Sequence, residues 1–245
     1  MEQRVRATFF ATRSGGITLD RDEKGGNPFA SALIELASDP TLRLRDLADR
    51  LRDLTSHKSD GRQVPDYVGS SELPDWSFNE EIMPRREVRE ALVLVVSDYT
   101  GSDLSSSLWG AAWDERRISA MLAQSGFSVT QGVAPDRRSL ISALSSFRRR
   151  SAKSDVAVIY STGHGIEIQG NTFLVPGDYP LDQGYDALCL KRFAVGVNHI
   201  SRAAVARGLN LTFFAGCRKA PRRTVLRSLG GPPNTGLKRT PAGAA

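Results

Sequence analysis

The chain has 245 residues, 40% of them hydrophobic, and a formal net charge of +6. That length can bury a full core, as one large α/β domain or two small ones, and no apolar run reaches the roughly 18 residues of a membrane span. The charge is confined: residues 219–245 carry Lys219, Arg222, Arg223, Arg227, Lys238 and Arg239 and no acid, so residues 1–218 are neutral, which argues against a nucleic-acid-binding fold and for a solvated cationic tail.

The N-terminus, MEQRVRATFF, lacks the long apolar core of a signal peptide, so a cytoplasmic location is the default reading. Residues 6–12 read as a short buried strand, ended by Ser14-Gly15-Gly16. Asn27-Pro28 opens a helix, with Asn27 as cap and Pro28 in the first position. Its apolar face is Phe29, Leu33 and Leu36, and it stops at Asp39-Pro40. A second helix from about Leu42 carries Leu44, Leu47, Leu51 and Leu54 at helical spacing. Residues 57–78 read as loop, with a short strand near Trp76–Phe78, and 79–90 as a polar connector.

Beyond the connector the texture becomes alternating strand and helix. Ala91–Ser97 is a continuous apolar run, as expected of a parallel strand covered on both faces. A helix follows from about Trp113 to Gln124, then a strand over Phe127–Val133. Asp136–Arg150 is a helix with Leu140, Leu144 and Phe147 inward. Asp155–Ser161 is a second fully apolar strand, followed by a hairpin-like stretch to Val175. A short helix over 199–207 and a last strand over Leu209–Ala215 complete the order. This alternation predicts a parallel sheet with helices on both faces, whose chemistry sits at the carboxyl ends of the strands.

Two tripeptides lie at such ends: Gly163-His164-Gly165 and Gly216-Cys217-Arg218. Glycines let the backbone turn sharply and let another chain approach. A thiol of reference pKa about 8.5 needs a nearby imidazole or a positive environment to become a thiolate. If the two strands are neighbours, about 5 Å apart, His164 and Cys217 can serve as base and nucleophile. The backbone N–H groups of Gly165 and Cys217 are then candidate oxyanion donors. On pattern alone, Cys217 reads first as a packing residue. Cys189 reads as packing, His199 and His57 as surface residues, and Asp178 as a turn residue. Two cysteines are too few for a disulfide framework, and no ligand cluster suggests zinc.

The segments ALVLVVSDY, WGAAWDERRISAMLAQSGF, DVAVIYSTGHGIEIQGNTFLVPGD and LNLTFFAGCRKAP resemble the catalytic, large-subunit region of the caspase and metacaspase superfamily, particularly its prokaryotic branch. The resemblance implies a cysteine endopeptidase with His164 as base and Cys217 as nucleophile. FFATRSGG, NPFASALIELASDP, LRLRDLADRLRDLT and GRQVPDYVGSSELPDWSF resemble the small-subunit region, which normally follows the catalytic cysteine. Here they come first, an order similar to type III metacaspases. The implied architecture is a three-layer α/β/α fold around a mainly parallel six-stranded sheet, circularly permuted. Residues 1–78 are small-subunit-like, 79–90 connect, 91–218 are catalytic, and 219–245 form a basic tail. Residues 1–218 together make one globular domain. The connector can extend to roughly 40 Å, against roughly 20 Å for crossing four strand spacings. Family cleavage sites fall where this chain has its tail, so no internal cleavage is expected to be needed.

The family's Asp-Ala-Cys-Arg is here Ala215-Gly216-Cys217-Arg218. The missing Asp helps metacaspases hold a basic residue beside the scissile bond. Asp98 and Asp114 are the substitute candidates for substrate binding, with capping or solvation as their plainer roles. The expected partner is a protein or peptide substrate, with no nucleic acid and no membrane; monomer or homodimer is left open. No cofactor is evident. Some metacaspases are activated by calcium, but no calcium ligand set is legible. Two rivals stand beside the peptidase: a catalytically degenerate scaffold, and a flavodoxin-like binder disfavoured because no phosphate-binding glycine loop follows the first strand.

Overall fold

A computed structural model describes residues 4–70, 72–78, 87–99, 108–133, 136–180 and 184–219. Strand β1 (Val5–Phe10) leads through a long loop to helix α1 (Pro28–Ala37). Asn27 caps α1 by accepting from the Phe29 amide at 2.8 Å, with Pro28 just inside. Helix α2 (Leu44–Lys58) buries Leu44, Leu47 and Leu51 and ends in the edge strand β2 (Asp66–Gly69). The small strand expected near Trp76–Phe78 is absent. Those two rings instead pack edge-on against each other, and Phe127 meets Trp76 edge-on and Phe78 at a tilt, an irregular plug whose aromatic content imitates a strand.

Strand β3 (Arg89–Val95), helix α3 (Trp109–Gln124), strand β4 (Ser128–Val133), helix α4 (Arg137–Ser151) and strand β5 (Val156–Thr162) follow in the expected alternation. Helix α3 begins four residues earlier than its apolar spacing suggests, because its first five residues include the exposed Trp109 and Trp113. A hairpin comes next, β6 (Gly165–Ile168) and β7 (Asn171–Leu174). It turns at Gln169 and Gly170, both at positive φ, which suits the twist of a two-residue turn. Instead of one helix over 199–207 there are two short ones, α5 (Ala187–Phe193) and α6 (Val197–Ser201), separated by strand β8 (Val195–Gly196). The start signal is Asp186, whose carboxylate accepts from the Leu188 and Cys189 amides. Strand β9 (Leu209–Ala215) closes the sheet. Most of the expected connector (79–86) and tail (220–245) lie outside the described residues.

The central sheet has six strands in the order β2-β1-β9-β5-β3-β4, parallel throughout except for β2. Alternating side chains split the core into two layers. Phe9, Val93, Val158, Tyr160 and Phe213 face α1, α2 and α3. Leu92, Leu94, Ala157, Ile159 and Phe214 face α4, α6 and the β6-β7-β8 sheet. β5 and β9 are buried along their whole length, so their carboxyl ends are held rigidly at the middle of one sheet edge. Among the described residues, no helix is long and apolar enough to cross a membrane.

Candidate functional site

Parallel pairing sets β5 against β9 with Thr162 beside Ala215. The two glycine-flanked tips therefore leave the sheet side by side. A Cβ at Gly165 would collide with the Cys217 carbonyl oxygen and lie 2.9 Å from its amide nitrogen. A Cβ at Gly216 would lie 2.9 Å from the Gly163 carbonyl oxygen. Any larger residue at either place would push the tips apart. His164 and Cys217 line one cleft of about 410 Å³, open to solvent at its mouth.

The backbone of His164 is pinned. Its amide donates to Tyr99 Oη at 2.8 Å, and its carbonyl accepts from Val175 N at 2.9 Å. Tyr99, just beyond β3, also packs its ring 4.4 Å from the imidazole and donates its hydroxyl proton to Val175 O. Burial pushes the Tyr99 hydroxyl well above its usual value, so it stays neutral and serves as a strut. Sequence reasoning missed this residue; its only signal is a large polar aromatic directly after a buried strand.

Cys217 is covered by the N-terminal loop. Thr18 N donates to Sγ at 3.2 Å, and Sγ faces Thr18 O at 3.7 Å. Burial pushes the thiol above its ordinary value; the contacts with Thr18 and the nearby Lys219 work against that shift. Arg218, which follows Cys217 in the chain, commits its charge elsewhere. Its guanidinium is turned away, donating to Glu167 at 2.6 Å, to Asp66 at 2.8 Å and to Thr12 O. It also stacks 4.2 Å over the Phe10 ring. Burial works against ionised Glu167, but bonds from Ser14 and Arg218 hold its carboxyl below the usual range. Arg218 thus joins β6 to β1 and β2, with its own backbone bonded to Gly15 and Gly16.

Among the described residues, the acid that lines the cleft is Asp20, beside Thr18, Leu19, Asn27 and Leu108. It accepts from the Gly110 amide at 3.1 Å. Asp114 is fully buried behind the cleft on α3, and Asp98 is exposed beyond β3; neither lines it. Nothing in the sequence distinguished Asp20 from other acids in a polar loop, because its place depends on how that loop crosses β9. Cys189 lies on α5 outside the cleft and forms no disulfide. His199 is exposed on α6, and His57 lies in the last turn of α2 rather than in a loop. Asp178 accepts from the Arg137 amide at the start of α4. Among the described residues, no group of three or more His, Cys, Asp or Glu side chains gathers to hold a metal ion, so no calcium site is assigned.

A sequence model of the caspase domain matches residues 88–225. No curated protein matches the chain.

Proposed function

Because that match spans more than half of the chain, which therefore belongs to the caspase-domain family, we propose that this is a cysteine endopeptidase with Cys217 as nucleophile and His164 as base. One observation carries the reading: two loop tips distant along the chain meet over paired strands, with His164 and Cys217 lining one cleft. The thiol proton passes to His164 as Sγ bonds to the scissile carbonyl carbon. Backbone N–H groups of Gly165 and Cys217 stabilise the oxyanion. The imidazolium then protonates the leaving amine as the C–N bond breaks, and water activated by His164 hydrolyses the thioester.

Asp20 is the acidic side chain in the cleft, and we assign it the recognition of a cationic side chain next to the scissile bond. Among the described residues no lysine or arginine lines the cleft, and the exposed Arg21 pairs with Asp20 at 3.4 Å, a surface contact weak enough for a substrate cation to displace. We read residues 1–78 as the small-subunit part placed ahead of the catalytic part. What supports this is that β1 and β2 extend the sheet beyond β9 while residues 1–87 fall outside the family match. The permuted order needs no cleavage between the halves.

A second reading, a silent scaffold, is favoured by the buried sulfur capped by Thr18. A peptide-library cleavage assay on the full chain separates the two. The peptidase reading expects cleavage that Cys217→Ala abolishes and His164→Ala lowers by roughly a thousandfold. Equal cleavage by wild type and Cys217→Ala, or none by folded wild type under any condition, supports the scaffold.

A further inference from the structure

The segment that covers the sulfur is held by a continuous set of hydrogen bonds that runs from the cleft to α3 behind it. Thr18 meets Sγ through its amide and carbonyl. The next residue, Leu19, is gripped at both ends of its backbone. Its amide donates to Gln63 Oε1 at 3.0 Å, and its carbonyl accepts from Asn27 Nδ2. Gln63 Nε2 donates to Asn27 Oδ1 at 3.4 Å, so the two side-chain amides brace each other. Asn27 is anchored in turn, its backbone N–H donating to Asp114 Oδ2 at 3.0 Å. The other Asp114 oxygen accepts from Arg117 Nη1 at 3.2 Å, and Arg117 Nη2 reaches Ser31 on α1.

We propose that Asp114 is a positioning residue for Cys217, acting through Asn27, Gln63 and Leu19 to seat the Thr18 amide on the sulfur. This rests on reading Cys217 as the nucleophile, but the relay can be tested without turnover. A donor aimed at sulfur bonds more strongly to the thiolate than to the thiol, and so opposes the effect of burial. Ionised Asp114 accepts from both Asn27 and Arg117. Protonated, it gives up one acceptor site to its own proton, and its hold on Asn27 slackens.

The groups facing Asp114 are Arg117 on its own helix, Asp20 and Asp22 in the loop after β1, the Tyr160 hydroxyl on β5 and the Asn27 amide at the start of α1. Burial first of all raises the carboxyl to about 7, so the relay tightens across neutral pH. Its direct charge effect on the thiol has the opposite sign. A nearby anion disfavours a thiolate, whereas the relay favours one.

The test is the pH dependence of iodoacetamide alkylation of Cys217 in the full chain carrying Cys189→Ser. Asp114→Asn and Gln63→Met are each expected to raise the thiol midpoint by roughly half to one pH unit, slowing alkylation at neutral pH about three- to tenfold. A midpoint that stays put or falls in either folded variant overturns the proposal. If Asp114→Asn does not fold, the wild-type profile carries the test. Below the midpoint, the logarithm of its rate should climb more steeply than one unit per pH unit around pH 7; unit or lower slope overturns the proposal. Peptidase activity enters none of these readouts, so their outcome is independent of whether the chain cleaves peptides.

Discussion

The Thr18 amide donates to Cys217 Sγ at 3.2 Å across 199 positions of sequence. This contact makes the loop after β1 part of the site built by β5 and β9. The environment of Cys217 is therefore set by the loop after β1 together with β5 and β9.

Gly165→Ala tests the meeting of the tips. The new methyl would collide with the Cys217 carbonyl oxygen, so β6 or the cysteine loop must shift. Overpacking of this kind is expected to destabilise the fold by about 1–3 kcal/mol. Activity should fall by more than the stability loss alone accounts for, because the tips separate. Urea unfolding and peptide cleavage on the same preparation check both.

Arg218→Met removes a cation whose side chain is 9% exposed and leaves Glu167, also 9% exposed, without its main partner. Stranding a buried carboxylate is expected to destabilise by about 3 kcal/mol or more. Adding Glu167→Gln should recover part of that loss, since the stranded charge is then gone. A double-mutant cycle in urea measures the coupling. Additive losses would mean that the two residues do not act as a pair.

Asp114 should shape stability against pH. Burial raises its carboxyl from the usual value to about 7 in the fold, so the folded chain binds a proton that the unfolded chain has released. Its contribution to stability is fully present below about pH 4 and is lost as pH rises through about 7. The slope is on the order of 1 kcal/mol per pH unit. Wild type should melt at lower temperature at pH 8 than at pH 5, and Asp114→Asn should flatten that difference. A steeper difference in the variant would contradict the assignment. The charge that tightens the relay to the sulfur thus burdens the global fold.

Asp20→Asn should lower kcat/KM for substrates with Arg or Lys before the scissile bond by roughly ten- to a hundredfold, and change neutral substrates little. That contrast follows from Asp20 being the acid that lines the cleft. An equal loss on both substrate sets would make Asp20 a structural residue, engaged with the Gly110 amide and Arg21.

The α/β class, the buried parallel strands and the two glycine-flanked tips were legible from local pattern. Continuous apolar runs mark strands covered on both faces, and Asn27-Pro28 marks a helix start whose side-chain bonds are local. The caspase-like resemblance, too, lies in contiguous strings. Irregular aromatic packing was not legible: Trp76 and Phe78 plug a gap without forming a strand. Nor were the two short helices α5 and α6, which are too brief for a periodic signal.

The partners of the charged residues were decided only by the tertiary structure. Which acid lines the cleft and what touches the sulfur depend on the loop after β1 crossing the carboxyl end of β9, and the carboxylates that meet Arg218 come from β2 and β6. Hydrogen bonds and ion pairs between segments far apart along the chain leave no periodicity to read, because their geometry exists only after the sheet has brought the segments together.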